Sequence, residues 1–341
     1  MLIRPIETGD LPALLNLAKD AGVGVTTLQA NPERLSTRIL ASEASLNAAA
    51  PDIADASYVF VLEDEISGKI VGTSAIEAAV GMHETWYNYR VGLNVHASRE
   101  LGIYKQLATL FLNSDMTGSS ELCSLFLLPD YRKDGNGSLL SKARFLFMAE
   151  HAERFSQRII AEMRGISDEA GCSPFWESLG RHFFRMDFAR ADFLSYVGSK
   201  SFIAELMPQH PIYTCFLSDE ARASIAEVHS ATRPARAMLE AEGFRYQGYV
   251  DIFDAGPTLE CDLNQIRAVR ASHCYAAELA DVAADGGVPY LVSNRQLLGF
   301  RCVIAMAHKS KHSLQLSQAS LDQLGIANGD SVRAVPLSAK E

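Results

Sequence analysis

The chain has 341 residues, 48% of them hydrophobic and 21% charged, with a formal net charge of −10. That size and composition fit two or three packed domains, or one enlarged domain with an appendage, and leave no room for long disorder. The acidic balance argues against nucleic acid or an anionic membrane as the main partner, and no apolar run approaches the length of a membrane span.

Arg4, Glu7 and Asp10 interrupt the first apolar residues, so no secretory leader is expected and the chain reads as cytoplasmic. The six cysteines are scattered without a CxxC pair, and the nine histidines form no HExxH, so neither a disulfide framework nor a metal site is expected. Leu2–Ile6 reads as a first strand. Asp10 and Pro12 open a helix whose stripe is Leu11, Leu14, Leu15 and Ala18, Gly22 and Gly24 mark a loop, and Pro32 opens a second helix through Leu35 and Ile39. Tyr58–Leu62 and Ile70–Ile76 form a hairpin around Ser67-Gly68, and Tyr87 to Val95 alternates as a third strand. Leu101 to Phe111 has helical spacing.

The stretch from Cys123 to Phe147 organises the rest. Leu125, Phe126, Leu127 and Leu128 before Pro129 read as a buried strand. Arg132 to Gly137 has the composition of a tight turn, and Leu139, Leu140, Ala143, Leu146 and Phe147 recur at helical spacing. Strand, glycine turn and helix N-terminus together make a cradle for phosphate. The turn has no Gly-Lys pair for a Walker loop, and Leu140 stands where a dinucleotide fingerprint needs glycine. What remains is Arg-x-x-Gly-x-Gly at Arg132, Gly135 and Gly137, which resembles the pyrophosphate loop of the GNAT superfamily of acyl-CoA N-acyltransferases. Arg132, Lys133, Lys142 and Arg144 form a basic cluster that would suit a polyanionic cofactor, although a solvated helix face accounts equally for Lys142 and Arg144.

Arg158 to Met163 reads as the next strand, and Pro174 to Phe184 as an aromatic-rich helix. This element order is that of the GNAT fold, an α+β architecture in which the fourth and fifth strands splay and the pantetheine arm fills the gap. Pro211 to Cys215 suggests a strand, Ser218 and Asp219 cap a helix through Val228, Pro234 to Leu239 form another ending at Gly243, and Phe244 to Phe253 alternates as a strand. The phrases LGRHFF and EGFRYQ hint at partial duplication. Cys261 to Val269, Tyr290 to Val292 and Gly299 to Ala305 read as strands of a small β-rich appendage, with a loop at Asp285-Gly286-Gly287. The expected division is residues 1–200 as acyltransferase core, 201–256 completing the substrate site, and 257–341 as the C-terminal subdomain.

Longer phrases are similar to one family, arginine N-succinyltransferase: GVGVTTL at Gly22–Leu28, the run Glu121–Ala149, HPIY at His210–Tyr213, and Glu242–Glu260. The resemblance implies transfer of a succinyl group from succinyl-CoA, a co-substrate and not a resident cofactor, to the α-amino nitrogen of L-arginine in arginine catabolism. It also implies a homo-oligomer. Alternatives are ornithine or another basic amino acid as acceptor, or a non-catalytic acyl-CoA-binding subunit of a hetero-oligomer. The resemblance points to His229 as proton donor, although this chain has Val228-His229-Ser230 where the family often has Val-His-Pro. Tyr213 is the reserve, with His83 and His210 behind it. Arg132 and the N–H groups from Gly135 through Gly137 to Ser138 are expected to hold the CoA pyrophosphate. Leu127 is expected beside the pantetheine, and Leu125, a dipeptide step of about 6.6 Å further, contacts succinyl-CoA through its main chain near the thioester. Glu84, Asp251 and Asp254 are candidates for the guanidinium, and Arg90 for the succinyl carboxylate.

Overall fold

The computed structural model describes residues 1–21, 26–168, 171–188, 190–191, 205–282 and 287–338. The expected loops at Gly22 and Gly24 and at Asp285-Gly286 lie outside the described residues, as does the expected boundary at residue 200. No helix among the described residues is long and apolar enough to cross a membrane.

The chain runs β1 (Leu2–Pro5), α1 (Leu11–Ala21), α2 (Pro32–Asn47), β2 (Ser57–Asp64), β3 (Lys69–Glu77), β4 (Asn88–Ser98), β5 (Ile103–Asn113), β6 (Ser120–Leu127), α3 (Asn136–Glu150) and β7 (Arg158–Glu162). It continues through α4 (Pro174–Ser178), α5 (Gly180–Phe184), β8 (Ile212–Tyr213), α6 (Asp219–Ser224), α7 (Arg233–Glu242), β9 (Arg245–Val250) and β10 (Pro257–Asp262). The last part is α8 (Arg267–Ala271), β11 (His273–Leu279), β12 (Val288–Asn294), β13 (Cys302–Lys309), β14 (Ser313–Leu316), α9 (Gln318–Leu324) and β15 (Ser331–Pro336).

The central strands lie in the order β1-β2-β3-β6-β7-β10-β9, antiparallel except for the β6–β7 pair, which is the order the GNAT fold requires. One layer of helices comprises α1 and α2, with Leu14, Leu17, Leu35 and Ile39 packed on Val59, Val61 and Cys123. On the other face α3 meets Tyr58, Phe60, Leu127 and Ile159. The caps follow local chemistry: Asn31 accepts the Arg34 N–H at 3.1 Å before Pro32, and Gly243, at φ +110°, closes α7.

Strands β11 to β15 form a closed five-stranded barrel, because β12 pairs with both β15 and β13. This lobe covers the outer side of α3, so the helix is buried nearly all round. That changes the reading of two cations. Lys142 reaches the Leu337 carbonyl at 3.0 Å and Glu242 at 3.1 Å, and Arg144 donates to the Ala75 and Ser141 carbonyls at 3.3 and 3.0 Å. Both are buried, and both donate to protein groups. Burial brings the Arg144 guanidinium down to about 10. Glu242, 1% exposed, also accepts from Arg267 at 2.7 Å and from the Ala268 N–H at 2.8 Å, tying α3, α7 and α8 into one charged knot.

Several elements differ from the sequence reading. Residues 103–113 form β5, the second arm of a hairpin with β4; Leu101, Tyr104 and Phe111 are exposed, so their helical spacing marks no buried stripe. The aromatic helix breaks in two at Leu179 (φ −128°), where Gly180 lies against the Trp176 ring so closely that a Cβ would sit 2.2 Å from it. Residues 257–262, grouped by sequence with the appendage, form β10 between β7 and β9, and part of the expected strand beyond them is α8. The two similar phrases share no local structure, since Gly180 opens α5 whereas Gly243 ends α7.

Candidate active site

Strands β6 and β7 pair in parallel only at Ser120–Ile159 and Glu121–Ile160, then separate. From Leu122 to Leu127, about 20 Å of strand, β6 has no neighbour on that side among the described residues. The Leu128 N–H reaches the Val71 carbonyl of β3 at 2.9 Å, so by alternation Leu125 and Leu127 turn their N–H and C=O groups toward the opening. The expectation that these residues act through the main chain therefore has a geometric footing.

The strand ends in the glycine turn. The Asn136 amide donates to the Tyr131 carbonyl at 3.0 Å and its N–H to the Lys133 carbonyl at 3.0 Å, closing the loop. Gly135 is the N-cap of α3, at φ +78°, and provides no side-chain cap, so the N–H groups of Gly137 and Ser138 open the helix uncapped. The two glycines serve different ends. A Cβ on Gly135 would combine a left-handed backbone with a 3.1 Å approach to Ile304 of the barrel lobe, whereas a Cβ on Gly137 meets nothing within 4 Å. Arg132 is exposed and folds back, Nε donating to the Leu127 carbonyl at 3.0 Å with its guanidinium 6.0 Å from the Phe126 ring. Ser138 Oγ lies 3.6 Å from Met238 Sδ of α7, which brings that helix beside the turn.

His229 stands on the opposite wall. Its N–H donates to the Arg164 carbonyl, just beyond β7, at 2.9 Å. Its Nδ1 accepts the Ala231 N–H at 3.2 Å, which puts the proton of the neutral ring on Nε2. Burial, and then the Arg164 charge, hold the imidazole below its ordinary value, so it is neutral near pH 7. Tyr213 belongs to β8, separated from β7 by β10, β9, β4 and β5, about 24 Å along the sheet; its hydroxyl accepts from Asn94 at 3.2 Å. His83 is exposed beside Asp55 at 2.7 Å, and His210 is exposed.

The carboxylate candidates are mostly structural. Asp254 accepts the N–H groups of Gly165 and Gly256 at 2.7 and 2.8 Å, and Asp251 those of Phe253 and Asp254 at 2.7 and 2.9 Å, so both shape the turn between β9 and β10. Glu84 is exposed, and Arg90 lies 5.7 Å over the Tyr249 ring. Residues missed by sequence cluster where β6 bends at Ser124: Thr27, Arg38 and Glu77 all reach that point. No motif marks them, because the contacts that join Thr27 and Arg38 to β3 and β6 span 39 to 97 residues.

A family profile described as "Arginine N-succinyltransferase beta subunit" matches residues 1–268, and its C-terminal domain counterpart matches residues 273–336. The chain belongs to the arginine N-succinyltransferase family. It is 54% identical over 341 residues to "Arginine N-succinyltransferase subunit beta" of Pseudomonas aeruginosa, covering 100% of this chain and 99% of that one. It is also 54% identical over 346 residues to "Arginine N-succinyltransferase" of Escherichia coli O139:H28, again covering 100% and 99%. The solved structure of "arginine/ornithine succinyltransferase subunit AI" from Pseudomonas aeruginosa superposes with a TM-score of 0.91 at 39% identity, covering 99% of each chain. As a member of this family the chain is an acyltransferase whose co-substrate is an acyl-CoA.

Proposed function

We propose that this arginine N-succinyltransferase homologue transfers the succinyl group of succinyl-CoA to the α-amino nitrogen of L-arginine, giving N2-succinyl-L-arginine and CoA. The observation that carries the reading is the open edge of β6 running into the uncapped first turn of α3. Pantetheine lies along that edge as an added strand, its amides meeting the main chain of Leu125 and Leu127. The diphosphate sits against the N–H groups from Gly135 to Ser138, with the Arg132 Nη groups beside it.

The amino group attacks as a neutral amine, having lost one proton. A C–N bond forms, the thioester oxygen takes negative charge, and the Leu125 N–H stabilises it; one such donor is typically worth a factor of about 100 to 1000. The C–S bond then breaks. His229 donates its Nε2–H to the departing sulfur in a concerted exchange, in which the proton that the tetrahedral nitrogen must lose to become an amide ends on the thiolate and the ring stays neutral, with no imidazolate formed. A neutral imidazole suits this role, as other enzymes with a lowered histidine value show.

The enzyme works in the cytoplasm as a homo-oligomer. Ornithine is a second acceptor to consider, because the solved relative is described as an arginine/ornithine enzyme. The test is thiol release by the purified chain given succinyl-CoA with L-arginine, then with L-ornithine. Release with arginine, and an N2-succinyl product, is expected. Release with neither would reduce the chain to an acyl-CoA-binding subunit.

A further inference from the structure

The bend of β6 is held from outside the strand. Pairing with β3 slips between Thr73–Phe126 and Ala75–Cys123, so β6 carries one extra residue there, and Ser124 takes φ +52°. A non-glycine residue stays in that conformation only where its surroundings enforce it. Here they do. The Ser124 N–H donates to Thr27 Oγ1 at 3.1 Å, and its hydroxyl donates to the Thr27 carbonyl at 3.1 Å. Arg38, from α2, donates through Nη1 to Ser124 Oγ and the Thr27 carbonyl, each at 2.5 Å. Through Nη2 it donates to Glu77 Oε1 at 2.8 Å and Cys123 Sγ at 3.1 Å. The arginine side chain is 13% exposed and Ser124 is 3% exposed, so this network sits largely out of water.

The extra residue decides which groups face the cleft. A strand alternates, and one inserted residue reverses the phase beyond it. Leu122 and Leu127 both pack on the α3 side, although five positions separate them, and Phe126 joins Cys123 on the α1–α2 side. Without the insertion the main chain of Leu125 would turn toward β3.

We infer that Arg38 is a positioning residue, whose guanidinium locks the Ser124 bend and thereby aims the Leu125 N–H at the thioester oxygen. It touches no reacting atom; it acts through Ser124, Cys123 and the Thr27 loop. This rests on the succinyltransferase reading and adds to it the residue that sets the oxyanion donor.

Arg38→Lys, Arg38→Met and Thr27→Val, assayed against the wild-type chain, test it. Thr27→Val removes the Ser124 N–H acceptor and leaves the Thr27 carbonyl that Arg38 reaches, and stands in if Arg38→Met does not fold. Expected are a kcat lower by about tenfold to hundredfold in Arg38→Met, a smaller loss in Arg38→Lys, and about threefold to tenfold in Thr27→Val. The dissociation constants of CoA and succinyl-CoA should stay within about twofold. A folded Arg38→Lys and Thr27→Val with wild-type kcat overturns the inference. So does weakened succinyl-CoA binding with CoA binding intact, which would make Arg38 a ligand of the succinyl carboxylate. A wild-type chain inert with arginine and ornithine sinks the succinyltransferase reading itself, and this inference with it.

Discussion

The two walls of the cleft present different chemistry. The β6 wall offers main-chain groups: the edge at Leu125 and Leu127 and the first N–H groups of α3. The β7 wall offers a side chain, His229, hung from the Arg164 carbonyl by its own N–H. A main-chain wall tolerates side-chain changes and is sensitive to backbone shape. A side-chain wall behaves the other way. On this account one wall binds and aligns, the other moves protons, and substitutions should separate the two.

The largest expected effect is on the β7 side. His229→Ala should lower kcat by about a hundredfold to ten-thousandfold and leave the succinyl-CoA dissociation constant within about twofold. A loss confined to KM would put His229 outside proton transfer. The pH dependence sharpens the point. His229 must stay neutral to keep the Ala231 N–H on Nδ1, and its value is lowered, so kcat should fall on acidification with a midpoint below the ordinary 6.5. That limb should vanish in His229→Ala.

Next in size is a backbone change on the β6 side. Gly135→Val forces a branched side chain onto φ +78° and into Ile304, at a cost of about 1–3 kcal/mol, and should weaken CoA binding by tenfold or more while the bound substrate still turns over. Arg132→Ala should weaken CoA by about tenfold, or about 1.4 kcal/mol, without altering preference between amino acids. The smallest effect belongs to Leu125→Ile, which leaves the main chain in place. CoA affinity and kcat should change by less than about threefold; loss of binding in a folded Leu125→Ile protein would return the leucine side chain to the site.

How much of this was legible in sequence follows from the same contrast. The glycine turn is local: Arg132, Gly135 and Gly137 lie close together where the chain passes from β6 into the first turn of α3. Strands β1, β2, β3, β6, β7 and β9 were readable for the same reason, since each has its own apolar run, whereas β10 was grouped with the appendage and its place between β7 and β9 was not read. The bend at Ser124 was not readable, because a lone serine inside an apolar run does not mark a turn and its partners come from α2 and the loop before it. Lys142 and Arg144 looked like a ligand patch or a wet helix face because sequence does not reveal the barrel lobe covering α3. Leu101, Tyr104 and Phe111 mimicked a helix because a hairpin with exposed apolar residues need not alternate. His229 was reached through family resemblance alone; its anchor on Arg164 is a tertiary fact.

Soaking crystals of the full chain with CoA tests the central claim most directly. The diphosphate should lie within hydrogen-bonding distance of the N–H groups between Gly135 and Ser138, with the pantetheine amides meeting the main chain of Leu125 and Leu127. CoA bound elsewhere, with that turn empty and β6 unpaired, would contradict the account.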